Sequence, residues 1–268
     1  MAVTGTGTQA DPYVVTTYAE LVEKAALGYV KVGNDINIMD EYHDGDMPSI
    51  TVNYDIDGNG KTISNWYRTT KGRLIDIYDS AHIDNLTLKN IYVTYEDDIF
   101  GFPANNNVWR FNNCKFSGYI LGRLYSGSSP YNHFKNCSFN IKSGNSGSNY
   151  YLMQSNCLNC YIHVHFTKSG GNGLWGNWAK VENSYIEVTA DDSVKNAVTL
   201  GGFGSVTNCV IDSYLTTSQS LESYSSADLS IVNVTHAPNY TVSGKLALVD
   251  NEHWLDTAYL ASIGFNVG

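Results

Sequence analysis

A short alternation of apolar and polar positions recurs along this chain. Phe111-Asn112-Asn113-Cys114-Lys115-Phe116 is followed by Phe134-Lys135-Asn136-Cys137-Ser138-Phe139 and by Cys157-Leu158-Asn159-Cys160-Tyr161-Ile162. Val181-Glu182-Asn183-Ser184-Tyr185-Ile186 and Val206-Thr207-Asn208-Cys209-Val210-Ile211 continue the series. Leu88-Lys89-Asn90-Ile91-Tyr92-Val93, Ile63-Ser64-Asn65-Trp66 and Ile231-Val232-Asn233-Val234 extend it in both directions. The shared Asn falls at Asn65, Asn90, Asn113, Asn136, Asn159, Asn183, Asn208 and Asn233, with spacings of 25, 23, 23, 23, 24, 25 and 25. A steady period in this range marks a repeat architecture, each copy stacked on the next.

The columns of the repeat indicate which architecture. Two residues before the Asn stand Ile63, Leu88, Phe111, Phe134, Cys157, Val181, Val206 and Ile231. One residue after it stand Trp66, Ile91, Cys114, Cys137, Cys160, Ser184, Cys209 and Val234, and three after it Val93, Phe116, Phe139, Ile162, Ile186 and Ile211. The positions between are mostly polar, as at Lys89, Lys135, Glu182, Lys115 and Ser138. Alternation with a period of two is that of a β-strand. The Asn shifts the phase by one residue, as a residue in the left-handed region does, and Asn tolerates that region best after Gly. Each copy therefore reads as strand, Asn bend, strand and a looser return. Stacked at about 4.8 Å, the Asn side chains can hydrogen-bond along the axis as a ladder. A leucine-rich-repeat solenoid is the rival, but its Leu spacing is missing. The expectation is an all-β fold: a single-stranded right-handed parallel β-helix over residues 51–245, about eight rungs of 23–25 residues.

A solenoid leaves raw sheet edges at its two ends, and these need covering. Residues 1–50 read as a lead-in with a capping helix, opened by the capping box Thr17-Tyr18-Ala19-Glu20 and stopping near Gly28. Residues 246–268 read as a helical cap or docking segment, with Asp250 or Asn251 as N-cap and Gly264 as the residue past its end.

Composition narrows the partners. Charged residues are 16% of the chain and net charge is −10, so a nucleic-acid backbone, which attracts clustered Lys and Arg, is an unfavourable partner. No apolar run is long enough for a membrane span, and Met1-Ala2-Val3-Thr4-Gly5 lacks the basic and apolar regions of a signal peptide. The odd count of five Cys, in inward columns, reads as reduced thiols from a cytosolic compartment.

Asp57-Gly58-Asn59-Gly60-Lys61-Thr62-Ile63 resembles the opening coil of pectate-lyase-like β-helix proteins. Gly5-Thr6-Gly7-Thr8-Gln9-Ala10-Asp11-Pro12-Tyr13 resembles the lead-in of phage and bacterial-surface β-helix proteins. The stretch from Leu248 to Phe265 is similar to the tails of structural proteins in phages of Gram-positive and gut bacteria. What the resemblance implies is a non-enzymatic bacteriophage virion part: a head fibre, capsid decoration or tail appendage. It would assemble in the host cytoplasm as a homo-oligomer, a trimer being favoured, and contact other virion proteins and host-surface polysaccharide. No cofactor or metal is expected.

Two groups of residues offer chemistry. Four positions after the Asn stand His163, Glu187 and Asp212 on consecutive rungs, with His165 on the same strand face. Carboxylates one rung apart approach the spacing of about 5 Å used by retaining glycosidases, and a His with two carboxylates could hold a divalent metal. The competing reading is a solvated polar face. Glu96-Asp97-Asp98 and Asp191-Asp192 read likewise as exposed loops. Trp175 and Trp178 flank Gly170-Gly171-Asn172-Gly173 and could stack on sugars, or fill the core or a subunit contact. Tyr119, Tyr125, Tyr131, Tyr150 and Tyr151 could form a protein interface. The expectation is therefore a non-enzymatic virion protein, the alternative a polysaccharide-degrading or glycan-binding tailspike-type β-helix.

Overall fold

The computed structural model describes residues 3–43, 46–102, 108–125, 132–144, 150–168, 172–175, 179–194, 198–201, 205–214, 221–233, 240–249 and 258. Asn65, Asn90, Asn113, Asn136, Asn159, Asn183 and Asn208 stand at φ between 50 and 64°, in the left-handed region that reverses the side-chain alternation between two strands. Those strands pair in parallel from turn to turn. The fold is an all-β parallel β-solenoid, with almost no helix among the described residues; the expected eight rungs are not established. It forms two compact units, residues 1–125 with 131–141, and residues 126–130 with 142–268.

In the first unit the register runs Tyr13, Val30, Ile56, Ile83, Phe111 and Phe134, each paired with the next. A second row runs Ile36, Ile63, Leu88 and Phe116. The lead-in thus supplies strands to the sheet. Apart from Tyr13, all these side chains are buried. Like stacks on like: Phe111 and Phe134 rings lie 5.5 Å apart at 9°, and Phe116 and Phe139 rings 4.9 Å apart at 10°. A smaller sheet sets Ile50, Ile75 and Phe100 in register on another side of the turns.

This register corrects the single column of Asn. Asn113 follows Asn112, which pairs with Asp84, and its Nδ2 donates to Asn85 Oδ1 at 2.7 Å. Asn90 belongs to a different column, donating to Asn65 at 3.0 Å, while Asn65 donates to Asn37 at 2.7 Å. Asn136 Nδ2 reaches Asn112 Oδ1 at 3.1 Å, one residue away from Asn113. The two columns are separate bends of the same turn, at Asn85 and Asn90, and the second column ends where the pairing of Thr87–Val93 with Lys115–Ile120 skips between Leu88 and Ile91, so that Lys89 and Asn90 face one residue, Ser117. Gly118 permits the skip. It stands at φ 150°, and a Cβ there would lie 2.0 Å from Ile91 O.

In the second unit Cys157, Val181, Val206 and Ala227 stand in register, as do Ile162, Ile186, Ile211 and Val232. Asn208 Nδ2 donates to Asn183 Oδ1 at 2.6 Å. The step after Val206 differs from expectation. Leu221–Asn233 is one strand of 13 residues, and Val206 meets Ala227 instead of Ile231. Asn233 therefore falls one residue past the Ile211–Val232 pair, out of register with Asn208, and pairs along its backbone with Val249.

The column after the Asn has its own local logic. Cys114, Cys137, Cys160 and Cys209 each point Sγ–H at the carbonyl two residues back, 3.2 to 3.4 Å away. Ser184 does the same at 2.8 Å. The same carbonyls accept a backbone N–H from the preceding turn, as Asn112 O does from Asn85, Lys135 O from Asn113 and Thr207 O from Asn183, so the small side chain adds a second hydrogen bond. All five Cys are buried and free of disulfides.

The helix Tyr18–Lys24 opens with the expected capping box: Glu20 N–H donates to Thr17 Oγ1, and Thr17 N–H to the Glu20 carboxylate, both at 3.2 Å. Glu41 accepts from the N–H groups of Tyr18 and Ala19 at 2.6 and 2.9 Å. Apart from Ala258, the C-terminal helix expected past Asp250 lies outside the described residues. No helix among the described residues is long and apolar enough to cross a membrane.

Replacing Gly118 by Ala forces the overlap with Ile91 and should cost on the order of 3 kcal/mol in urea unfolding. Gly60→Ala, at φ 70° with nothing within 4 Å of its Cβ, should cost about 1 kcal/mol. Equal costs would refute the role given to Gly118.

Candidate functional site

Outward side chains form columns as regular as the inward ones. Two residues past the Asn bend, Tyr67 pairs in register with Tyr92, which pairs with Tyr119. The Tyr67 and Tyr92 rings stack at 5.5 Å and 6°, and Tyr92 and Tyr119 lie 5.6 Å apart at 31°. Tyr67 and Tyr92 are 43 and 45% exposed. The second unit repeats the arrangement with Tyr161 and Tyr185, stacked at 5.3 Å and 13°. These columns were present in the sequence as Tyr two places after Asn65, Asn90, Asn159 and Asn183, and went unread because Lys115 and Ser138 interrupt the series.

His163, Glu187 and Asp212 do stand in register on successive turns. Their surroundings are those of a hydroxyl-bonded face. Tyr161 OH donates to Glu187 Oε2 at 2.7 Å and Tyr185 OH to Asp212 Oδ2 at 3.3 Å. Asp212, expected to point outward, is 1% exposed, and its carboxylate is hydrogen-bonded by the Tyr185 and Tyr214 hydroxyls. The hydrogen bond to Glu187, with burial, pushes the Tyr161 hydroxyl up to about 12. Burial and the bond to Asp212 push Tyr214 up to about 12 as well. These phenols stay protonated donors at ordinary pH, and the carboxylates act as their acceptors. His163 Nε2 lies 3.5 Å from Thr189 Oγ1, and His165 bridges Thr189 at 2.8 Å and Asp191 at 2.9 Å. Among the described residues no His, Cys, Asp and Glu side chains group to hold a metal ion.

Other expectations fare variously. Asp98 is buried, not a solvent-exposed loop residue, because Arg123 Nε lies 3.1 Å from its carboxylate. Tyr125 is also buried, edge-on to Phe102 at 4.9 Å and to His133 at 4.6 Å, which removes it from any interface. Trp178 and Tyr131 lie outside the described residues, as do the side chains of Trp175 and Tyr150.

One cluster was missed. Asp55-Ile56-Asp57 and His82-Ile83-Asp84 stand in register 27 residues apart. His82 Nδ1 lies 2.9 Å from Asp55 and Nε2 3.1 Å from Asp84. The two carboxylates hold the imidazole charged, raising its pKa from 6.5 to about 10. It lines a pocket of about 350 Å³ with Asp57, Lys31 and Tyr29. The repeated x-Ile-Asp tripeptide signalled this cluster.

No family model matches the chain, and no curated protein matches it. Among solved structures it is similar to a Bacteroides ovatus chain described as a "putative immunoglobulin A1 protease", at 14% identity over 92% of this chain and 80% of that one, with a TM-score of 0.48. Likeness at that level carries no argument about activity.

The His82 clamp makes a prediction. A group whose folded pKa is raised stabilises the fold fully below its unfolded value and loses that contribution as pH rises through the folded one. The urea midpoint should therefore fall between about pH 6.5 and about 10. In His82→Gln it should be lower at neutral pH and flatter over that window. An unchanged slope in the variant would contradict the clamp.

Proposed function

We propose that this protein is a non-enzymatic surface-binding β-solenoid whose outward tyrosine columns face glycan. The observation that carries this reading is the pairing of exposed, stacked tyrosines with a face whose carboxylates are already engaged by phenol hydroxyls. A general acid or nucleophile must reach the substrate, and Asp212 is covered. Aromatic rings on a rigid scaffold suit the apolar faces of sugars, and loops or faces beside such a scaffold are where recognition resides.

The setting we propose is a bacteriophage virion, as a head fibre, capsid decoration or tail appendage, assembled in the host cytoplasm as a trimer. The resemblance of the lead-in and of the stretch from Leu248 to Phe265 supports it. In that setting eight rungs over residues 51–245 would be closed by the helix at Tyr18–Lys24 and by a second helix within 246–268, which could dock on a neighbouring copy. The second reading is a glycan-cleaving tailspike-type protein working at His163, Glu187 and Asp212, favoured by their shared register.

Sedimentation with host-wall or capsular polysaccharide, followed by assays of reducing ends and unsaturated products, separates the two. The proposal expects the protein in the pellet without product. Product formation that is lost in Glu187→Gln supports the second reading, and absence from the pellet contradicts the first. Light scattering should give a trimer; a strict monomer would count against self-assembly.

A further inference from the structure

A second histidine is built into the first unit in the opposite sense to His82. His133 lies in the strand Asn132–Lys135, where the alternation breaks and His133 and Phe134 are both fully buried. Phe134 continues the stack on Phe111, as the repeat requires. His133 instead enters an aromatic cage. Its ring stacks on Phe102 at 4.1 Å and 22°, and Tyr125 meets it edge-on at 4.6 Å. Phe102 packs in turn against Tyr125 at 4.9 Å and Phe111 at 6.0 Å, which joins the cage to the core stack.

The charge beside the cage has the same sign as a protonated imidazole. Phe134 pairs in register with Phe111, and Arg110 precedes Phe111. Arg110 is 1% exposed, and its Nη1 and Nη2 donate to the carbonyl oxygens of Ala81 and Asp79 at 2.7 and 2.6 Å. The titratable groups facing His133 are thus Arg110 from the preceding turn and Tyr125 from the cage wall, and the Asp79 carboxylate bears on Arg110. A proton taken up by His133 puts a second cation near a guanidinium, out of water and between aromatic rings. Burial first, then Arg110, push its pKa down from 6.5 to about 3. His82 has the reverse setting, two carboxylates that favour the charge.

We propose that His133 is an acid trigger: protonation expels it from the cage of Phe102 and Tyr125 and opens the last turn of the first unit at Asn132–Lys135. The inference is independent of what the outward tyrosines face. Its sign follows from linkage. Above about pH 6.5 the imidazole is neutral in the folded and the opened chain alike, so pH changes nothing. Below that value the opened chain takes up a proton that the cage refuses. The equilibrium constant for folding then falls by about tenfold per pH unit, until the folded value of about 3 is reached. His82 adds no slope in this window, because it is charged in both states there.

Urea unfolding of the full chain between about pH 7 and about pH 4.5, for wild type and His133→Phe, tests it. Carboxylate titration is common to both proteins, so the difference between them reads His133. Relative to the variant, the wild-type folding constant should fall close to a hundredfold by about pH 4.5. Parallel pH curves overturn the proposal. Amide exchange at about pH 5 should be faster at Asn132–Lys135 in wild type than in His133→Phe, and equal exchange there contradicts the opening. Histidine-ring NMR of wild type needs no variant. At about pH 4.5 the folded protein should keep one neutral imidazole beside the charged His82. A folded protein in which every imidazole is charged at that pH overturns the trigger.

Discussion

The structure depends on a bend that L-residues resist. Turning a strand through the left-handed region costs about 1–2 kcal/mol for a residue with a Cβ, and Asn is the side chain that offsets this best. It does so here by a second bond. Asn65 to Asn37, Asn90 to Asn65, Asn113 to Asn85 and Asn208 to Asn183 each join one turn to the turn before it through a side-chain amide. The bend and the link between turns are therefore one device. Its geometry also fixes the register, since a slip of one residue would carry every inward side chain to the outside.

Inside, the consequence is repetition. Phe111 meets Phe134 and Phe116 meets Phe139 because equivalent positions lie directly above one another. The Cys column follows from the same bend: a thiol or the Ser184 hydroxyl is small enough to fold back onto the carbonyl before the Asn, which also accepts a backbone N–H from the preceding turn. Outside, the same repetition stacks Tyr67 on Tyr92 and Tyr161 on Tyr185. Regularity that orders the core inside stacks exposed rings outside.

Much of this was legible in the sequence. The Φ-x-Asn-Φ-x-Φ pattern reports alternation and bend together, so strands, inward columns and left-handed residues could be read without coordinates. Register between turns was harder. Spacing alone joined Asn90 to Asn113, whereas Asn85, within Ile83-Asp84-Asn85-Leu86-Thr87-Leu88, is the true partner and carries the same pattern. The skip at Gly118 is set by backbone passage close to Ile91, which no periodicity reveals. The acidic candidates stand on the expected register, but the burial of Asp212, bonded by Tyr185 on the neighbouring strand and Tyr214 on its own, is not readable from alternation. The His82 clamp was visible as a repeated tripeptide, though its chemistry needs two turns brought together.

The central claim is that the Asn acts through its backbone bend first and its amide bond second. Urea unfolding of Asn113→Gly and Asn113→Leu tests it most directly. Gly keeps the left-handed bend and loses the bond to Asn85, for a cost of about 1 kcal/mol. Leu loses both, and the account predicts a further loss on the order of 2 kcal/mol. If Asn113→Leu were as stable as Asn113→Gly, the bend would not be the constraint on which this fold rests.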